Sequence, residues 1–465
     1  MWILKAGLKF FGANDTVTGS LTQLSINNSK VLVDCGQFQG PKEVRARNRR
    51  PFPFKISEID GVFITHAHLD HIGRLPLLCK EGYEGPIYVS QGTYELGRII
   101  LLDSAHLEQE FAAYANETGY SNHKPALPLF TTEDAEKAIS QFKIVSRNQW
   151  HSFNEHLSFK LLRAGHIIGS SILQFQLHNG QKKKIVSFSG DLGRPFSLTL
   201  KPAEEIPSSD ILVLESTYGG RLHPKKDPLE GLAEEINRIV ERQGVLVVPA
   251  FAVGRSQDII FAIKTLEQQK KIPCLPVYLD SPMANSATEI FLRNHEDQKA
   301  LSAFNETDSF FPKKFEVSTT ADESMLACMR DGPLIVISAS GMLSGGRILH
   351  HLKARLPKPE NTVLFTGFQA EGSKGRFLQE RNEDQKIRIH HKEVDIEARV
   401  TTLDAFSAHA DYEEILEYLS KVASPNMKII VNHGSHESQK ILAEKIREKF
   451  GFHVECSADC ESIDL

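Results

Sequence analysis

The chain has 465 residues, 41% of them hydrophobic and 24% charged, and a formal net charge of −5. That length exceeds one ordinary core, so two or three domains of a globular protein are expected. No run approaches the ~18–20 apolar residues of a membrane span, and the start Met1-Trp2-Ile3-Leu4-Lys5 lacks the basic-then-apolar pattern of a secretory signal, so no membrane partner and a cytoplasmic location are expected.

Short apolar runs rich in β-branched residues recur along the chain and read as buried strands: Val31-Leu32-Val33, Gly61-Val62-Phe63-Ile64, Leu157 to Leu162, Ile185 to Phe188, Ile211 to Leu214, Val245 to Val248, Leu334 to Ile337, Val363 to Phe365 and Ile429 to Val431. Helical spacing follows several of them, at Leu229 to Arg242, Ile259 to Leu266 and Glu437 to Phe450, which indicates an α/β protein. The stretch 217–396 repeats a strand, glycine-rich turn and helix (Val248 to Arg255, Ile337 to Arg347, Phe365 to Arg376) with no long linker on either side, as suits an inserted domain. Asn179-Gly180 reads as a hairpin turn and Lys182-Lys183-Lys184 as its solvated flank. The six cysteines form no Cys-x-x-Cys pair and read as reduced thiols; Cys456 and Cys460, four apart, are a weak pair for a metal or a bridge.

Residues 66–71, His-Ala-His-Leu-Asp-His, stand at the end of an apolar run. Imidazole and carboxylate are the usual zinc ligands where thiolates are absent. His66 and His68 can share one metal, and Asp70 and His71 can reach a second. Two metals need more ligands, and the sequence offers them beside glycines at strand ends: His166 in Gly165-His166, Asp191 in Gly190-Asp191 and His433 in His433-Gly434. Asp34, before Cys35-Gly36, is in the same kind of place.

In order along the chain, Asp34, His66 to His71, His166 and Asp191 resemble the motifs of the metallo-β-lactamase superfamily, whose fold is an αββα sandwich with metals at one edge. Glu215 in Leu214-Glu215-Ser216-Thr217, His409 in Ser407-Ala408-His409-Ala410-Asp411, and His433 in Asn432-His433-Gly434 resemble the three added motifs of its β-CASP branch. The resemblance is to prokaryotic homologues of the pre-mRNA 3′-end-processing endonuclease subunit. It implies a lactamase-type domain in two parts, 1–216 and 397–465, around an inserted α/β β-CASP domain, 217–396. Against that family's pattern, neither an N-terminal KH-type extension nor a C-terminal domain beyond Leu465 is expected.

The resemblance further implies two Zn2+ per chain: His66, His68 and His166 on one, Asp70, His71 and His433 on the other, and Asp191 bridging. His409 becomes the candidate proton donor, Glu215 its orienting partner, and Asp34 a support for a histidine or the Asp70 loop. Single-stranded RNA is the implied partner, cleaved to 5′-phosphate and 3′-hydroxyl ends, with endonuclease action favoured over 5′-exonuclease action. A homodimer is admitted, although the sequence itself says nothing of assembly. Ser344-Gly345-Gly346-Arg347 before a helix at Ile348 to Leu352, and Gly372-Ser373-Lys374-Gly375-Arg376, are candidate phosphate contacts through Arg347, Ser373 and Arg376, as is Ser407. The run Arg45, Arg47, Arg49 and Arg50 is either a guide for RNA backbone or a solvated loop. The alternatives are a hydrolase of a small ester, thioester or lactam, a DNA-directed relative, and a non-catalytic RNA-binding subunit.

Overall fold

The computed structural model describes residues 5–119, 121, 123–179, 182–224, 227–299, 309–367, 369, 372–381, 385–422, 424 and 426–465. Gly180 of the expected hairpin turn, residues 1–4, and residues 368, 370 and 371 of the expected glycine-rich turn lie outside these. The chain divides into two compact units, one of 1–196, 202–222 and 409–465, the other of 197–201 and 223–408.

Among the described residues the first unit holds two seven-stranded sheets. One runs Ser462–Asp464, Ala6–Gly12, Leu21–Ile26, Ser29–Val33, Gly61–Phe63, Ile87–Val89 and Phe142–Ile144; the other runs His453–Cys456, Lys428–Val431, Ile211–Leu214, Lys182–Phe188, Ser171–Asn179, Leu157–Arg163 and His151–Asn154. Alternating side chains of a strand face opposite ways. Ile211 and Val213 therefore enter one core, with Leu8, Phe10, Leu24 and Phe63 of the first sheet and Phe159, Phe175 and Ile430 of the second. Leu212 and Leu214 enter another, under helices Tyr412–Val422 and His436–Phe450, which supply Ile415, Leu419, Leu442 and Ile446. The spacing of those helical residues is that of one helix face. Ser435 caps the second helix at its start, and Gly451, at φ 69°, ends it. Helices Leu75–Lys80, Gln91–Thr118 and Thr132–Ser140 accompany the first sheet, which gives the expected αββα layering.

Phe63 anchors the shared core three residues before His66. It is fully buried, stacked on Tyr88 at 4.8 Å between ring centroids and edge-on to Phe159 at 4.7 Å and Phe175 at 5.0 Å. Phe63→Ala is expected to cost about 3–5 kcal/mol in urea unfolding, through lost burial and the cavity left behind.

The second unit is built on a six-stranded sheet in the order Lys314–Val317, Pro276–Leu279, Leu334–Ser338, Val245–Pro249, Thr362–Phe365 and Arg399–Thr402. Every neighbouring pair is parallel. Strands buried on both faces read as unbroken apolar runs, which is why Val245–Pro249 and Leu334–Ser338 were legible. The unit's limits differ from the expected 217–396. Strand Arg399–Thr402 is hydrogen-bonded to Thr362–Phe365 and so belongs to this sheet. Residues 197–201 join it through the Lys201 amide, which donates to Asp297, and the Thr199 hydroxyl, which donates to Asp258.

Candidate metal centre

The expected ligands in the first unit all stand just past the C-terminal ends of strands. Asp34 follows Ser29–Val33, His66 to His71 follow Gly61–Phe63, and His166 follows Leu157–Arg163. Asp191, Glu215 and His433 follow Lys182–Phe188, Ile211–Leu214 and Lys428–Val431. The backbone locks these ends together. The amides of Ser20, Cys35 and Gln37 donate to the carbonyls of Asp70, His71 and Leu69. Gly36 permits that approach, since a Cβ there would sit 1.6 Å from the Asp70 carbonyl oxygen.

Two clusters that could hold a metal ion result. His66 Nε2 lies 3.0 Å from His68 Nδ1 and 3.3 Å from Asp191 Oδ2; His166 Nε2 lies 3.3 Å from His68 Nδ1 and 3.5 Å from the same Asp191 oxygen. Four donors placed ~2.0–2.1 Å from a tetrahedral ion stand roughly 3.3 Å apart, so this spacing matches a zinc site. The second set joins His71, Asp70, His433 and the other oxygen of Asp191. His71 Nε2 is 3.8 Å from Asp70 and 3.4 Å from Asp191 Oδ1; His433 faces Asp70 with Nε2 at 3.6 Å and Asp191 Oδ1 with its other nitrogen, Nδ1, at 3.5 Å. His71 Nε2, His433 Nε2 and Asp191 Oδ1 are buried with no hydrogen-bond partner. Buried polar atoms left so are rare; His71 Nε2 and Asp191 Oδ1, 3.4 Å apart, fit a cation between them, and His433 Nε2 faces Asp70 beside them. The donor set, imidazole and carboxylate without thiolate, fits zinc.

Electrostatics divide the imidazoles into two kinds. Burial, with neighbouring imidazoles, holds His66 and His166 below the usual histidine range and His68 at about 3, so these rings are neutral and available as ligands. His71 goes the other way. Burial opposes its charge, but Asp191, Asp34 and Asp70 outweigh it and raise the ring well above its ordinary value. Burial opposes the charge of Asp191, but the imidazoles of His433, His71, His66 and His409 hold it well below the carboxylate range. Asp34, Asp191 and Glu215 are each 2% exposed, an accumulation of buried anionic groups that a cation would offset.

Asp34 touches His71 rather than either ligand pocket. Its Oδ2 is 2.7 Å from His71 Nδ1 and accepts from Ser20, while Oδ1 accepts from the amide and hydroxyl of Thr65. A carboxylate on Nδ1 fixes the ring and presents Nε2. Thr65 and Ser20 were not singled out from the sequence; the position of Thr65 directly before His66 was the available signal. Asp34→Asn places an amide N–H against the His71 N–H. It is expected to weaken metal retention by about 10–100-fold, measured by chelator competition.

His409 and Glu215 form a third group beside Asp191. His409 Nδ1 is 3.3 Å from both Glu215 oxygens and 3.9 Å from Asp191 Oδ2. Glu215 is held in turn by the Leu192 amide at 2.6 Å. The 409 segment is pinned by the Ala410 amide on the Leu192 carbonyl and by an isolated bridge from Gly193 to His409. Burial disfavours the charged form of His409, but Glu215 and then Asp191 outweigh it and lift the ring to about 9.

The expected phosphate contacts sit in the second unit and are occupied locally. The Arg347 guanidinium donates to Asp280 at 2.9 Å, to the Ser318 carbonyl and to the Thr319 carbonyl. Arg376 pairs with Glu380, one turn along its own helix. The Ser373 hydroxyl accepts from the Arg376 amide as a helix cap. Ser407 follows the short turn Asp404–Phe406 and is buried. In the first unit, Arg47 spends its charge on Asp15 and the Phe38 ring, and Arg49 donates to the Leu127 carbonyl. Cys456 and Cys460 are free thiols.

Comparison with known proteins accords with this geometry. Residues 23–188 match the metallo-beta-lactamase superfamily domain, 256–378 the Beta-Casp domain, and 393–457 the Zn-dependent metallo-hydrolase RNA specificity domain. The chain belongs to the β-CASP branch of the metallo-β-lactamase superfamily, a family of metal-dependent hydrolases. It is 35% identical to a ribonuclease of Thermus thermophilus over 93% of this chain and 94% of that protein. It is 30% identical to an RNase J-like protein of Methanocaldococcus jannaschii, over 92% of each. It is 29% identical to the transcription termination factor FttA of Methanothermobacter thermautotrophicus, over 99% of this chain and 72% of that one. A crystal structure of an Enterococcus faecalis protein of unknown function shares the fold, with TM-score 0.54, 12% identity, and coverage of 99% of this chain and 100% of that chain.

Proposed function

We propose that this chain is a zinc-dependent ribonuclease that cuts single-stranded RNA internally at a two-metal centre, leaving 5′-phosphate and 3′-hydroxyl ends. The observation that carries this reading is Asp191. One of its oxygens completes the His66, His68 and His166 set, the other faces His71 and His433, and His409 stands 3.9 Å away. RNA as the substrate is supported by the ribonuclease and RNase J-like names of two relatives and by the match to an RNA specificity domain.

Two zinc ions, if held by His66, His68, His166, Asp70, His71, His433 and Asp191, would supply Lewis acidity and make hydroxide available at neutral pH. The chain does the rest. Burial keeps three imidazoles neutral, Asp34 orients His71, and Glu215 holds His409 protonated. With Nδ1 on Glu215, His409 presents Nε2 as the donor that protonates the departing 3′ oxygen.

Purified protein is tested on internally and 5′-end-labelled RNA, with the 5′ end free or blocked, alongside a generic ester, and its metal is measured. The expected result is two zinc per chain and internal products indifferent to the blocked end. Cleavage only from a free 5′ end overturns the endonuclease assignment. Ester hydrolysis with RNA untouched overturns the ribonuclease assignment.

A further inference from the structure

The second unit carries a short hairpin, Ile387–Ile389 paired with Lys392–Val394, whose two-residue tip is His390-His391. Both tip residues lie at positive φ, 46° and 63°. Two-residue hairpin turns of this kind favour Asn-Gly or Asp-Gly, because glycine and short side chains that hydrogen-bond locally tolerate positive φ better than other residues. Each histidine therefore costs stability at a place where an ordinary turn pair would not. Strain retained at an exposed tip calls for a reason outside the turn.

The surroundings supply one. The His390 ring lies 4.6 Å, centroid to centroid, from His350, which is on the separate helix Ile348–Arg355. Partial burial and then the charges of His350, Lys353, Lys374 and His391 disfavour protonation of His390, so the charges that bear most on it are cationic. The hairpin's own carboxylates are directed elsewhere: Asp395 pairs with Lys386 at 2.8 Å, and Glu393 stands opposite Arg388 in the ladder. Two lysines beside imidazoles exclude a metal cation as the natural ligand, since like charges repel. They suit an anion whose oxygens accept several N–H donors at once.

We propose that His350, Lys353, Lys374 and the His390-His391 tip form a phosphate-binding patch that grips the RNA backbone on the second unit. This rests on the ribonuclease reading and adds a binding surface outside the metal centre. Phosphate contacts fix position without reading sequence, so the patch would strengthen binding alike for different sequences.

The test uses the full chain and a fluorescent 2′-O-methyl single-stranded oligonucleotide, which binds without being cleaved, read by anisotropy across a salt series. Two double variants are compared with wild type: H390N/H391G and K353Q/K374Q. The first installs the preferred turn pair, so its melting temperature should equal or exceed that of wild type, and weaker binding cannot be ascribed to misfolding. The expected result is about three- to tenfold weaker binding for each. The salt slope of log affinity should fall by roughly 0.7 per lost phosphate contact. Turnover of bis(p-nitrophenyl) phosphate, too small to span the patch, should be unchanged. Wild-type affinity and slope in both variants overturn the patch while leaving the ribonuclease reading intact. Failure of the wild-type protein to bind the oligonucleotide overturns the patch and, if RNA is not cleaved either, that reading with it.

Discussion

Replacing His409 with alanine is expected to lower RNA cleavage about 10²–10⁴-fold while zinc content stays at the wild-type level. The separation of the two readouts follows from the geometry. His409 Nδ1 faces Glu215 at 3.3 Å, and its distance to the nearest ligand oxygen, 3.9 Å, exceeds the 3.0–3.5 Å spacing within the first ligand set. A proton donor beside the metal pockets should be dispensable for holding metal and indispensable for expelling a poor leaving group. Loss of zinc along with activity would reassign His409 as a ligand. The pH profile gives a second measurement. A donor must be protonated, so the rate should be present below its pKa and fall as pH rises through it. Glu215 raises that pKa, so Glu215→Gln should move the basic limb of kcat/KM to lower pH by about one to two units. A limb that does not move would remove Glu215 from this role.

Asp191→Ala should be more damaging still, and in a different way. The carboxylate faces both ligand sets, so its loss opens each of them and leaves His66, His71, His166 and His433 without their shared anionic neighbour. Metal affinity is expected to fall by more than the ~10–100-fold that the partners behind ligands contribute, and RNA cleavage by about 10³-fold or more. Metal analysis after dialysis against a weak chelator, set beside far-UV circular dichroism, checks this. A folded variant that keeps both ions would refute the sharing of Asp191. Asp191→Glu should recover little, because one extra methylene displaces both oxygens from positions fixed by buried strands.

The positions proposed as ligands could be picked out because they sit where physics makes sequence informative. A run such as Gly61-Val62-Phe63 can only be buried, and the polar residues that follow it must emerge at a sheet edge. Glycines beside Asp34, His166, Asp191 and His433 marked places of close backbone approach, and Gly36 shows that approach directly. Helix Gln91–Thr118, by contrast, went unread. Its buried face is made of Gly92, Thr93, Gly97, Ser104 and Ala105 among a few large residues, so no strong apolar period appears. The end of the inserted unit was also misplaced by periodicity. Nothing in Arg399–Thr402 announces that it pairs with Thr362–Phe365 rather than with the strands that follow. The arginines chosen for phosphate show the limit for charges. Sequence reveals a guanidinium but not Asp280, 67 positions earlier, which holds Arg347.

The order of these groups along the chain also has a temporal meaning. Synthesis is vectorial, and a ribosome adds about 5–20 residues per second. Asp191 and His409 are 409 − 191 = 218 positions apart, so roughly 10–45 s separate their appearance. His433 comes later, and strand Ser462–Asp464, which pairs with Ala6–Gly12 at the edge of the first sheet, comes last. A nascent or prematurely terminated chain can thus own all four residues of the first proposed ligand set yet lack His433 of the second, the proposed proton donor His409 and the strand that pairs with Ala6–Gly12. For an enzyme made alongside messenger and ribosomal RNA, the proposed activity would be withheld until His409 and His433 have both been made.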